Sequence, residues 1–240
     1  MVSSKLTIYA LGDMYKNWLK LLWYENLVSS PSAMWMLPLV SGGGLLLLVD
    51  IHADAFMRFE QIAAVAEIIM PLAVMFISTG LVLREREENS LVFAAIRSSL
   101  TVLWVRRLCA LFLWYSFWLG ILMTIYNFFY LPISIVQMVF ASVSVSLVLT
   151  GVSSVASLIM REMSAGYLIG TFLWGTCLIA HKFSYSILGS RLYLFYLWFG
   201  MQEEIGIDGW VLNKLSLTIA GVMFILIAVF LLRSRERFFT

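Results

Sequence analysis

Six separated apolar runs dictate the solvent in which this chain can fold. Residues 33–49, 62–83, 108–130, 133–160, 165–180 and 215–232 each approach the length of roughly 20 residues that a helix needs to cross about 30 Å of hydrocarbon. Together they take up most of the 240 residues, so no room is left for a folded soluble domain. With 62% hydrophobic residues, 12% charged residues and a mean hydropathy of +0.93, the chain carries more apolar surface than a soluble domain of this size could bury. The expected fold is an all-α integral membrane protein: one transmembrane domain spanning 1–240, with six spans.

Charge fixes the expected orientation. Lys5, Lys16, Lys20, Arg84, Arg86, Arg97, Arg106, Arg107, Arg161, Arg233, Arg235 and Arg237 fall on one side of the six-span arrangement. Arg58, Lys182, Arg191 and Lys214 fall on the other. By the positive-inside rule the richer side is the cytoplasm, and both termini lie there. The two cysteines, Cys109 and Cys177, fall inside spans, where the sulfur packs as a small apolar group and no disulfide is expected.

The flanking segments are read from their patterns. Over residues 5–29, Asp13, Lys16, Asn17 and Lys20 cluster on one helical face, with Leu11, Met14, Tyr15, Trp18 and Leu22 on the opposite one. An amphipathic helix lying in the membrane interface is expected, with packing on a soluble partner as the alternative. Charges interrupt any signal-peptide core, and Ser30-Pro31-Ser32 turns the chain into the first span. Residues 181–214 are expected as an outer loop. Its aromatic run 192–199 is too short to cross and is read as a re-entrant or interfacial helix, either a passive element or a gate.

Small residues recur at helical spacing within the spans. Ser142, Ser146, Thr150 and Ser154 follow one another every four residues in the fourth span, and Gly166 and Gly170 form a small-xxx-small pair in the fifth. Such faces let helix backbones approach closely in lipid, and the fifth span is expected to meet another subunit.

Catalytic chemistry is hard to find. There is no Gly-x-x-x-x-Gly-Lys-[Ser/Thr] sequence, so the chain cannot bind ATP through a P-loop. His52 and His181 lack companions at ligand spacing, so no metal is expected. Ser153 with His181 resembles the serine–histidine dyad of intramembrane rhomboid proteases. However, the fourth span runs inward, which puts Ser153 roughly 10 Å from its cytoplasmic end, whereas His181 lies at the outer end of the fifth. The dyad cannot form across that distance. One ionisable residue remains in a span: Glu67, near the outer end of the second. An intramembrane carboxylate is a functional candidate by default, with snorkelling or a structural pairing to Arg58 or Lys182 as the alternative.

Between the second and third spans lies the one sizeable ordered charged segment, residues 84–107. Glu85, Glu87, Glu88, Asn89, Ser90, Leu91 and Phe93, followed by Arg106 and Arg107 at the return, resemble the cytoplasmic loop of type 2 ABC exporter permeases. That family's loop usually reads Glu-x-Glu-x-Gly-Thr-Leu-Glu-x-Leu before a proline. Asn89-Ser90 replaces Gly-Thr here, and Ser98-Ser99 stands where the proline is common. The resemblance covers the whole chain in architecture but only about 25 residues in motif.

The resemblance implies a coupling helix over 88–100 that docks in a groove of a separate ATP-hydrolysing subunit. Leu91, Val92 and Phe93 would be its apolar anchors, and Glu85, Glu87, Glu88 and Arg97 its polar contacts. It also implies a working unit of two permeases, identical or different, with two ATPases that carry ATP and Mg. The second and fifth spans would line the path, with Glu67, Gly166, Gly170 and Trp174 on them. The alternative for the charged segment is a solvated cap that only sets orientation. The chain is then not an enzyme by itself, and it takes no cofactor and no nucleic acid. An aromatic and hydroxyl-lined path suits an amphipathic peptide, a peptide antibiotic for instance, or another hydrophobic substrate leaving the cell across the bacterial cytoplasmic membrane. Polysaccharide, lipid or haem export are rivals in the same class, and a structural or receptor-type membrane subunit is the rival outside it.

Overall fold

Among the described residues the chain forms six α-helices, and four apolar helical stretches are long enough to cross a membrane. In this computed structural model residues 31–48, 61–87, 100–129, 134–181, 197 and 206–236 are described. The helices are α1 (Pro31–Leu48), α2 (Met70–Glu87), α3 (Leu100–Phe129), α4 (Ile135–Met160), α5 (Met163–His181) and α6 (Gly206–Glu236). A π-helical segment, Val65–Ile69, and a helical turn over 61–64 run unbroken into α2. No strand occurs among the described residues. The four crossing helices cover Gln61–Leu81, Thr101–Phe128, Ile135–Met160 and Asp208–Ser234, and α5 carries a shorter apolar stretch, Met163–Ile179. This length and composition define a multi-pass membrane protein.

Local sequence accounts for the helix ends. Pro31 occupies the first position of α1, where its missing N–H costs nothing. Arg161 closes α4 in the left-handed conformation, φ 64°, and Glu162 leads directly into α5, so α4 and α5 form a tight antiparallel hairpin. The expected spans 133–160 and 165–180 are thus met within two residues at each end.

The outer surface is as apolar as the core. Leu113, Phe117 and Phe128 on α3, and Ile219, Met223, Leu226 and Phe230 on α6, are exposed in the single chain, as side chains facing lipid would be. The buried core is itself largely apolar, and α4 adds to it a concentration of small and hydroxylated residues. α4 is the hub, packing against α2, α3, α5 and α6. It meets α6 through two glycines: a Cβ on Gly221 would lie 2.7 Å from the Leu147 backbone, and one on Gly151 would lie 2.7 Å from Phe224 Cβ. Any larger residue at Gly221 would push backbone from backbone.

Two expectations need correction, and the reading of the small residues as a packing signal gains detail. The last helix begins at Gly206 rather than Leu215, so the stretch expected as outer loop ends nine residues earlier and Lys214 is helical. Gly206, Asp208 and Asn213 dilute the hydropathy there, but the backbone continues through them. The segment expected over 84–107 is shortened from both sides, because α2 carries Glu85 and Glu87 in its last turn and α3 already includes Arg106 and Arg107. Finally, the small face of α4 and the Gly166/Gly170 pair are both used inside the chain. A Cβ on Gly166 would overlap Ser157 Oγ and lie 2.7 Å from Ser153 O and 2.8 Å from Thr79 Cγ2, and one on Gly170 would overlap Met75 Sδ and Ser153 Oγ. Leu168 and Phe172 of α5 are exposed.

The interfacial helix expected over 5–29, Arg58, His52, and the coupling residues Glu88, Leu91, Val92, Phe93 and Arg97 lie outside the described residues. So does the outer aromatic run, apart from Leu197. Leu197 is buried with Met75, Val145, Leu149 and Trp210.

Candidate functional site

Glu67 has a partner. Its Oε1 lies 3.1 Å from Nζ of Lys214, and both residues are buried, Glu67 at 5% exposure and Lys214 at 0%. Each lies six residues into its crossing helix, about 9 Å from the start of Gln61–Leu81 and of Asp208–Ser234. The two helices therefore begin at the same end of the bundle and bring opposite charges together at equal depth. Ionised groups away from water persist only when paired, and intramembrane ionisable residues face the bundle interior as these do. Asn213, also fully buried, precedes Lys214.

The carboxylate stands on the π-helical turn, and the sequence explains the turn. Met70 N–H bonds to Val65 O, five residues back rather than four. Pro71 follows. A proline ring clashes with the carbonyl four residues before it, which here belongs to Glu67, and it offers no N–H to that carbonyl. Widening the turn by one residue relieves the clash, and π-turns of this kind cluster at functional sites.

Widening frees carbonyls, and neighbouring helices take them up. Ser142 of α4 donates its hydroxyl to Ala66 O. Because that spends Ser142's one proton, Tyr115 of α3 must be the donor in the bond between Tyr115 and Ser142. Ser146 donates to Ser142 O at 2.7 Å, with the Tyr115 oxygen 3.2 Å away. Trp174 Nε1 of α5 donates to Ile68 O at 3.0 Å. Nearly three turns further along the same helix, Ser78 bonds to Met75 O, so its contact with Thr150 of α4 at 3.0 Å takes Thr150 as donor. The stripe read from the sequence as a packing face also carries hydrogen bonds across it: Ser142 to the π-segment and Thr150 to α2.

The sequence-derived candidates separate into two groups. Glu67 and Trp174 meet at the π-segment, while Gly166 and Gly170 lie on the same helix as Trp174, at the dry contact with Ser153 and Ser157. Ser153 itself donates to Leu149 O at 2.5 Å, eleven residues of α5 separate Gly170, its neighbour, from His181, and no three His, Cys, Asp or Glu side chains converge among the described residues. Lys214, Tyr115, Ser142 and Pro71 escaped the sequence reading as site residues. A proline four residues after an intramembrane glutamate was the available signal.

No protein-family model matches this chain, and no curated protein or solved structure matches it either. The functional reading therefore rests on the bundle and its interior charges.

Proposed function

We propose that the chain is the membrane permease subunit of an ATP-driven exporter of the type 2 ABC kind, moving an amphipathic or hydrophobic substrate, such as a peptide antibiotic, out of the cell. It works with a separate ATPase and a second permease copy. The observation that carries this reading is the continuity of α2. The helix runs from the Glu67–Lys214 pair to Glu87, twenty residues or about 30 Å, and ends where the charged segment begins. A force applied to that segment is carried along one continuous helix to the π-turn that bears Glu67.

In this reading six spans place both termini and residues 88–99 in the cytoplasm. Leu91, Val92 and Phe93 seat the segment in the ATPase, with Glu85, Glu87, Glu88 and Arg97 around them. Closure of the ATPases biases the bundle between two states, since a ligand shifts an equilibrium only by its differential affinity for the two. Removing Lys214 from the outer loop leaves Arg58, Lys182 and Arg191 as the outer basic residues, which sharpens the charge asymmetry behind this orientation.

Two measurements test the proposal. Affinity purification of the tagged chain from its own membrane should bring down a P-loop ATPase, which a structural or receptor-type subunit would not. Phe93→Asp should abolish ATPase stimulation and export while membrane insertion stays normal, and unchanged export would sink the coupling assignment.

A further inference from the structure

Three consecutive residues of the π-segment are each held by a different helix. Ser142 of α4 holds Ala66 O, Lys214 of α6 holds the Glu67 carboxylate, and Trp174 of α5 holds Ile68 O. We propose that Val65–Ile69 is a two-state register switch. In one state the π-turn is kept open by these three tethers; in the other the turn closes to α-helix and the head of α2 rotates by one residue.

The geometry sets the two states against each other. In the π-state Met70 N–H reaches Val65 O. In an α-turn the same N–H bonds to Ala66 O, the carbonyl that Ser142 now uses, and draws it toward the helix axis. Ser142 then loses its acceptor and Tyr115 the order of its chain. Advancing the turn by one residue also turns residues 61–67 through about 100° relative to α2, which carries Glu67 away from Lys214. Pro71 opposes the closed turn because its ring meets the Glu67 carbonyl there.

Proline and tethers thus favour one register, and the backbone's ordinary hydrogen bonding favours the other. The rotating head is built for small steric cost, since Ala63, Ala64 and Ala66 make up half of residues 61–66. The ion pair is the tether that spans the bundle, joining the α2 head to α6. The switch would serve the rocking motion of the exporter proposed above, while the readout below needs neither cargo nor ATPase, so failure of one does not imply failure of the other.

The test is a spin-label distance between Gln61 on the α2 head and Val136 on the exposed start of α4. It uses the full chain in lipid nanodiscs with Cys109 and Cys177 replaced by serine. The unmodified π-segment should give one main distance. Pro71→Ala, which removes the clash and restores the N–H, should shift it by on the order of 5 Å, and Lys214→Met should shift it the same way. Either variant at the original distance overturns the switch. If Lys214→Met loses its fold and returns only a broad distribution, Glu67→Lys combined with Lys214→Glu decides. Return to the original distance supports the switch, and any other result overturns it.

Discussion

Two of the contacts that hold α6 to the bundle are made of opposite materials. At Gly221 the helix touches α4 backbone to backbone, with no side chain between. Seven residues earlier, on nearly the same face, Lys214 reaches a carboxylate on the π-turn of α2. The glycine seam has one solution, because neither backbone can yield without separating the helices. The charged contact can break and re-form at a cost, since each partner is a long side chain and one of them rides on an irregular turn. The comparison assigns rigidity to the α4–α6 seam and exchange to the α2 head.

Gly221→Leu should break the comparison from the rigid side. Four added heavy atoms meet Leu147 and Val148 backbone, so we expect no folded monodisperse protein in size-exclusion chromatography of the detergent extract. Lys214→Met breaks it from the charged side. The variant leaves Glu67 buried without its cation and should lose about 3–5 kcal/mol in reversible unfolding by a denaturing detergent.

Trp174→Phe sharpens the picture. It keeps the ring but removes the donor to Ile68 O, and a loss of about 1 kcal/mol is expected in the same assay. Ser154→Ala sets the floor. Its hydroxyl is buried with no hydrogen-bond partner, in contrast to Ser142, Ser146 and Thr150 on the same face, so removal should change stability by less than about 0.5 kcal/mol or raise it slightly.

Hydropathy alone located the four long apolar helices, whereas the expected spans 33–49 and 165–180 fall on α1 and on the shorter apolar stretch of α5, outside those four; the break at Arg161 was legible to within a few residues because a charged pair interrupts two long apolar runs. The same method misplaced Lys214. A lysine after Gly206, Asp208 and Asn213 looks like the end of a loop, and only its partner on the π-turn ahead of α2, remote in sequence but 3.1 Å away in space, makes it an interior residue. Glu67 could be flagged from its position in a span, but which cation met it depended on the relative rotation of α2 and α6, which the Gly151–Gly221 crossing helps to set. Likewise, the spacing of Ser142, Ser146 and Thr150 revealed a shared face but not that Pro71 had freed the carbonyl for Ser142 to hold.

The most direct test of the account is a double-mutant cycle on Glu67 and Lys214, with both residues changed to methionine singly and together and unfolding free energies measured in the same detergent system. If the two charges sustain each other inside the bundle, each single change costs about 3–5 kcal/mol and the double variant returns close to the original stability, because two apolar side chains of similar length replace a pair that was costly to bury. Additive losses, agreeing within about 0.5 kcal/mol, would show that the two residues act independently and would contradict it.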